Sequence, residues 1–338
     1  MSSLEYPFPE IPAPGTTLQV APGIHWLSMP LPFQLDHINL WLMEDDEGGW
    51  TIVDTGIGNE PTRKLWETIL EGKSVRRVIV THYHPDHAGN AQWLCQRFGA
   101  ELWMTQGEYL TAHAVRTSTA GYTADAVLAV FRRNGLDEGR AAAMAGGRNR
   151  YAALVPEFPF CYRRIIEADE VRVGKHAWRA IIGHGHAPEH LSLFSEEANT
   201  LIAGDMLLST ISTNVSVWSI DPEGDPLRLF LDSVAGYREL PEGVLVLPSH
   251  GKPFHGAHRR VEQLEKHHRE RLQELAESLR SGPKSACDLL QVLFRRPLDT
   301  HQTFFAMGEA IAHLHYLYYA GRAERSLGPD GIMRYATR

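Results

Sequence analysis

Three histidines and an aspartate stand within six residues in the segment Thr81-His82-Tyr83-His84-Pro85-Asp86-His87-Ala88-Gly89-Asn90. Imidazole and carboxylate are ligands for first-row metals, and borderline-soft Zn²⁺ suits them. His82 and His84, two apart, can converge on one ion if the loop is tight, and Asp86 and His87 can face a second. At this chain's own histidine content such a run arises by chance on the order of once in several hundred chains.

The elements around this segment are those of a site. Val78-Ile79-Val80 is short, β-branched and apolar and reads as a buried strand. Ala91 to Phe98 opens a helix. The polar cluster therefore sits where a strand ends and a loop begins, the edge on which α/β folds build their sites. Two later segments have the same form of an apolar strand ending in a ligand: Leu201-Ile202-Ala203-Gly204-Asp205 and Leu245-Val246-Leu247-Pro248-Ser249-His250-Gly251.

Taken together with Ile181-Ile182-Gly183-His184-Gly185-His186-Ala187-Pro188-Glu189-His190 and Thr51-Ile52-Val53-Asp54-Thr55-Gly56, these segments resemble the metallo-β-lactamase superfamily of dinuclear metal hydrolases, over about residues 20 to 255. The resemblance implies a four-layer αββα sandwich with two divalent metal ions at one edge, zinc first, iron and manganese as alternatives. It assigns one ion to His82, His84 and His186 and the other to Asp86, His87 and His250, with Asp205 bridging them. It also implies a metal-bridging hydroxide as nucleophile, available near neutral pH because bound water loses much of its proton affinity, and gives Asp86 the catalytic task of orienting it. Asp54 is expected to fix a ligand histidine's tautomer, or else to serve only the turn before Gly56. His190 either hydrogen-bonds near the site or is a plain buried histidine. His184 stands where relatives often carry proline and is read as a non-ligand.

The chain has 338 residues, 43% apolar and 22% charged, ordinary for a globular protein. Its net charge of −8, from 33 basic and 41 acidic residues, disfavours a general attraction to nucleic acid or anionic membrane. Cys95, Cys161 and Cys287 are odd in number and form no C-x-x-C pair, so a disulfide framework is not expected and a reducing cytoplasm is the default. The N-terminus has no signal-peptide pattern, and no window reaches the roughly 18 apolar residues of a membrane span.

The expected organisation is an N-terminal arm over 1–16, stiffened by prolines, a catalytic domain over 17–256, and a mainly helical domain over 257–338. Strands are expected at 18–20, 24–27, 37–43, 50–53 and 75–80, and a helix over 60–70. Residues 105–160 form a helical insertion, with helices at 108–114, 123–134 and 137–145 and breaks at Gly135 and Gly146-Gly147. Its Tyr109, Tyr122, Phe131, Tyr151, Phe158, Phe160 and Tyr162 either cover the metal cleft or anchor the insertion. After His250, helices at 258–280, 285–294 and 303–320 and a wing at 328–335 resemble the winged-helix-like unit of some superfamily members. His267 and His268 are read as solvent or packing residues.

The leading expectation is hydrolysis of a small acyl compound, a thioester, lactone or ester, because the ligand pattern most resembles glyoxalase II and its relatives. True dinuclear β-lactamases commonly carry Cys or Ser where Asp205 stands. The alternatives are a phosphodiesterase or ribonuclease on the same site, for which Arg132-Arg133, Arg163-Arg164 and Arg295-Arg296 are candidate basic contacts, and a mononuclear iron oxidoreductase resembling persulfide dioxygenases. A small-molecule substrate is the expected partner, with no membrane and no nucleic acid; a homodimer stays open.

Overall fold

The apolar runs of the first half are strands buried on both faces. In the computed structural model, which describes residues 4–33, 35–119, 121–145 and 150–338, a seven-stranded sheet runs in chain order: β1 (Leu18–Ala21), β2 (Ile24–Pro30), β3 (His37–Glu44), β4 (Gly49–Val53), β5 (Ser74–Ile79), β6 (Glu101–Met104) and β7 (Arg163–Arg164). Strands β1 to β4 pair antiparallel and β4 to β7 parallel. Alternation splits each strand between two cores. Trp26, Trp41, Val53 and Ile79 face a second sheet. Leu27, Leu40, Ile52 and Val78 face helices, among them α1 (Glu60–Ile69), which buries Trp66, and α3 (Ala91–Phe98), which buries Leu94.

The second sheet has six strands in the order β13-β12-β11-β10-β9-β8: β8 (Glu170–Val173), β9 (His176–Gly183), β10 (His190–Ser195), β11 (Thr200–Gly204), β12 (Leu245–Pro248) and β13 (Phe254–His255). Among the described residues its only parallel pair is β11 with β12. Trp178, Leu191, Leu193, Ile202 and Leu247 complete the core between the sheets. The α/β sandwich of two sheets flanked by helices is as expected. The N-terminal arm, of which residues 1–3 lie outside the described residues, is tied to the edge of this sheet: Glu5 and His255 exchange backbone hydrogen bonds.

Between β5 and β6 come α2 (Pro85–Ala88) and α3; α4 (Gln106–Arg116) follows β6. The stretch 105–160 also holds α5 (Ala124–Arg133), α6 (Glu138–Ala145) and α7 (Arg150–Leu154); Gly146 and Gly147 lie outside the described residues. This stretch is not one body. Two compact units divide the chain: the first comprises 1–117, 150–213 and 233–261, and the second 118–149, 214–232 and 262–338. The second unit thus holds most of the expected 257–338 together with 118–149 and 214–232. The physical reason is side-chain packing. Phe131 of α5 is buried with its ring 5.5 Å from Phe304, and the Asn134 carbonyl accepts from Cys287 N at 3.2 Å. Tyr109 stacks on Tyr162 at 3.9 Å in the first unit. These aromatics are anchors within their own units.

Helix α8 (Pro226–Ala235) and helix α9 (Ala257–Leu279) each have residues in both units. The second unit also contains α10 (Leu290–Leu293), α11 (Thr300–Tyr319) and the antiparallel hairpin β14 (Ala323–Leu327) with β15 (Met333–Thr337). An Asp299–Gln302 capping box starts α11. Among the described residues no helix is long and apolar enough to cross a membrane.

Inside the second unit His268 of α9 meets His313 of α11, Nδ1 to Nε2 at 3.2 Å, and both rings are buried. Burial, reinforced for His268 by His313, pushes His268 down to about 2; burial pushes His313 down to about 4. Both rings are therefore neutral in the fold but titrate near 6.5 once unfolded. Protons then favour unfolding below that pH, so this contribution is intact above about pH 6.5 and lost as pH falls. Between pH 6.5 and about 4, each ring is expected to cost on the order of 1 kcal/mol per pH unit. Amide exchange of α9 and α11, corrected for intrinsic rates, should show protection falling over this range. A His268→Gln/His313→Leu variant should flatten the slope.

Candidate metal centre

All the predicted ligands lie in the segments that follow the carboxyl ends of strands. Strand β5 runs between β4 and β6, and the chain leaves it through Val80 and Thr81 into the loop carrying His82 and His84 and then α2, which carries Asp86 and His87. His186 sits in the β9–β10 loop. Asp205 follows β11, and His250 follows β12. Because β11 and β12 are parallel neighbours, their ends reach the same edge of the sheet.

Two groups result. His82, His84, His186 and Asp205 form one, and Asp86, His87 and His250 the other, each with its ligand atoms within 4.8 Å of one another. His82 Nε2 lies 2.9 Å from His84 Nδ1 and 3.2 Å from His186 Nε2. In the other group, Asp86 Oδ2 lies 3.4 Å from His250 Nε2 and 3.8 Å from His87 Nε2. Asp205 faces both. Its Oδ2 is 3.5 Å from His186 Nε2, while its Oδ1 is 3.5 Å from His87 Nε2 and from His250 Nε2.

Outer hydrogen bonds aim these atoms. Asp54 Oδ2 lies 2.7 Å from His87 Nδ1, and a carboxylate at that distance makes Nδ1 the proton carrier. Nε2 is then left for the site. Asp54 itself is held by the backbone and hydroxyl of Thr81, both at 2.8 Å, and sits at a φ of +62° that Asp tolerates better than most residues. The His37 carbonyl, 2.9 Å from His250 Nδ1, sets that ring in the same way. His190 Nε2 accepts from Asp205 N at 3.0 Å, so it holds the backbone of the shared carboxylate. Gly204, at φ +54°, makes room: a Cβ there would lie 2.4 Å from the His190 ring. His184 is turned to its own loop, with Nδ1 2.7 Å from the Pro188 carbonyl.

The electrostatics are those of a cation site. Burial, then the neighbouring rings, lowers His82 well below the ordinary histidine value; burial with His186 brings His84 down to about 3. Burial also opposes a charge on His87, but Asp54, Asp86 and Asp205 outweigh it and hold it up at about 10. Asp86 is drawn down to about 2, since His87 and His250 overcome its own desolvation. His87 Nε2 and Asp205 Oδ1 are buried without a hydrogen-bond partner among the described residues, which native proteins rarely leave unexplained. Imidazole nitrogens and carboxylate oxygens converging with spare lone pairs fit divalent ions.

Two buried side chains that shape the site lie outside every motif, and the sequence does not mark them. Glu108, in the first turn of α4, accepts from Tyr83 N at 2.9 Å and Glu189 N at 2.6 Å, and so ties the His82–His84 loop to the His186 loop. Burial raises it to about 8 against those two donors. Thr105-x-x-Glu108 has the spacing of a capping box, yet the Thr105 hydroxyl donates to the Glu189 carbonyl instead. The other is Asn39 of β3, whose side chain is fully buried.

Residues 34–250 match the family model described as the metallo-beta-lactamase superfamily, well over half of the chain. The chain belongs to the metallo-beta-lactamase superfamily. Residues 272–338 match the model described as metallo-beta-lactamase-like, C-terminal domain. A crystal structure of a beta-lactamase domain protein from Burkholderia ambifaria is 47% identical, covers 99% of this chain and 98% of its own, and superposes with a TM-score of 0.93. A metallo-beta-lactamase family protein from Thermus thermophilus is 29% identical, with coverage of 95% and 100% and a TM-score of 0.78. A probable metallo-hydrolase of Bacillus subtilis (strain 168) is 24% identical over 321 residues, 86% of this chain and 91% of that protein.

In this superfamily member Asp54 lies against the His87 ring. Asp54→Ala is expected to weaken divalent-ion binding by about 10- to 100-fold, measured by competition with a chelating indicator. Unchanged affinity would leave Asp54 a role only in its turn.

Proposed function

We propose that this protein is a dinuclear metal-dependent hydrolase of small acyl compounds, namely thioesters, lactones or esters. The observation that carries the reading is Asp205, whose two oxygens face two separate sets of ligand atoms. A single-ion oxidoreductase would leave Asp86, His87 and His250 converging on nothing. His82, His84, His186 and Asp205 would hold one ion, and Asp86, His87, His250 and Asp205 the other. Such ions, zinc first, supply Lewis acidity toward a substrate oxygen and a nucleophile from water at neutral pH.

The chain's own groups divide the remaining work. Asp86, at about 2, stays ionised throughout the neutral range. It is thus too weak a base to remove a proton unaided, and its task is to accept a hydrogen bond and orient the attacking water. Its side chain is 16% exposed, against 0% for His87, so among these groups it is one that solvent and substrate reach. Asp54, His190, Glu108 and the His37 carbonyl keep the rings and Asp205 from turning as substrate enters.

The acidic surface supports a small organic substrate over nucleic acid. One arginine of each pair that a basic groove would need is engaged: Arg132 with Glu138 at 2.7 Å, Arg295 with Glu274 at 2.9 Å, and Arg163 stacked 4.3 Å from the Trp103 ring.

The test is metal content with activity on thioesters, lactones, p-nitrophenyl esters, nitrocefin and bis(p-nitrophenyl) phosphate, with oxygen uptake as a control. Two ions per chain and preferred acyl turnover are expected. Preferred phosphodiester turnover would move the protein to phosphoryl chemistry, and iron with oxygen uptake to redox chemistry. Asp205→Ala should lose at least one ion and most activity. Loss of activity with both ions retained would remove Asp205 from its bridging place.

A further inference from the structure

The turn that carries His250 is held from the opposite sheet. Asn39 lies in β3 of the seven-stranded sheet, whereas His250 follows β12 of the six-stranded one. The Asn39 amide Nδ2 donates to the Pro248 carbonyl at 2.8 Å and to the Gly251 carbonyl at 2.7 Å; its backbone N donates to the Ser249 carbonyl at 2.7 Å. One residue thus satisfies the carbonyls on both sides of His250. Two residues earlier in β3, the His37 carbonyl takes the His250 Nδ1 proton. The two carbonyl acceptors fix which way round the Asn39 amide sits, and its Oδ1 accepts from Trp26 Nε1 at 2.8 Å. With both amide hydrogens and the oxygen engaged, and the side chain fully buried, neither aspartate nor leucine can replace it.

The other set has ties of its own. His82 and His84 leave β5, and their loop is held by Glu108 and Thr81; His186 lies in the loop that Glu108 also holds. Asp205 is fixed by His190. Thr81 serves both sets, at His82 and, through Asp54, at His87, whereas the Asn39 side chain reaches the turn of His250.

We infer that Asn39 is a positioning residue for one ion only: it sets the retention of the ion held by Asp86, His87 and His250, by fixing where the His250 ring meets the other two. The inference rests on the two-ion reading above. Asn39 makes no contact with substrate in this role. Loss of its side chain leaves the Pro248 and Gly251 carbonyls without their donors, only the backbone bond to the Ser249 carbonyl remaining, and the turn is free to carry His250 away from Asp86, now 3.4 Å distant.

The experiment uses the full chain loaded with Co²⁺, whose visible spectrum reports each ion's ligand field, with stepwise affinities from chelator competition. Wild type should take up two ions. Asn39→Ala should keep the first at wild-type affinity and spectrum while the second binds about 10- to 100-fold more weakly, the range seen when an outer partner of a ligand is lost. Trp26→Phe is the control: it removes the bond to Asn39 Oδ1 from the same buried junction but leaves both amide donors in place, so it should lower stability and leave the second ion's affinity within about threefold. Asn39→Ser, which keeps one donor, should fall between, and it serves if the alanine variant does not fold. Equal loss of both ions in the Asn39 variants, or the same selective loss in Trp26→Phe, would make Asn39 a merely structural residue and overturn the inference. Unchanged second-ion affinity would do the same while leaving the two-ion reading intact. A wild type that takes up one ion would overturn both.

Discussion

Asp205 stands between two groups of side chains that would otherwise have no reason to approach one another. Imidazoles and carboxylates present lone pairs to its two oxygens or to each other at 2.9–3.5 Å. In a protein interior such a gathering is unfavourable unless positive charge enters it. In the ion-free chain protons partly supply that charge, which is why His87 is held up at about 10 while Asp86 falls to about 2. Divalent ions do the same task better and displace those protons. The fold must keep the groups together regardless, and much of its first unit is arranged to that end.

The means is a set of short ties between elements distant in sequence. Asp54, at the end of β4, reaches both Thr81 and His87; Glu108 joins two ligand loops; His190 holds Asp205; Asn39 holds the His250 turn. Backbone contacts add to these. Thr55 N and Oγ1 both donate to the His87 carbonyl, at 2.8 and 2.6 Å. Gly89 packs so tightly on the Gly56–Gly58 backbone that a Cβ there would meet Gly58 N at 2.4 Å. A ligand displaced by a fraction of an ångström weakens a whole coordination set, so each tie is worth more to the site than the roughly 1 kcal/mol an average hydrogen bond contributes to stability.

The second unit is built on different terms. Its core is helical and aromatic, and two of its buried polar groups, His268 and His313, are neutral rings that pair with one another. It also draws α5 and α6 from the middle of the chain. Helical periodicity locates those helices correctly but says nothing of which neighbour buries their apolar face, and the contact that decides it joins Phe131 to the distant Phe304.

Motif chemistry and hydrophobic period made the α/β class, the strand ends and the seven residues that converge legible in the sequence, since residue type and strand-end position are local properties: a residue's chemistry and its distance along a strand do not wait for tertiary structure. Asp54 and His190 were visible for the same reason, lying inside the motif segments. Asn39 and Glu108 were not. A buried asparagine in a strand and a glutamate three residues into a helix look ordinary until partners 209 to 212 and 25 to 81 residues away are brought against them. Spacing suggested that His82 and His84 face one ion and Asp86 and His87 another; the places of His186, His250 and Asp205 in that division were implied by resemblance, and became geometry when β11 and β12 aligned their ends. Tertiary structure decided these matters because they depend on which carbonyls and amides lie within about 3 Å of each side chain, and chain separation carries no information about that distance.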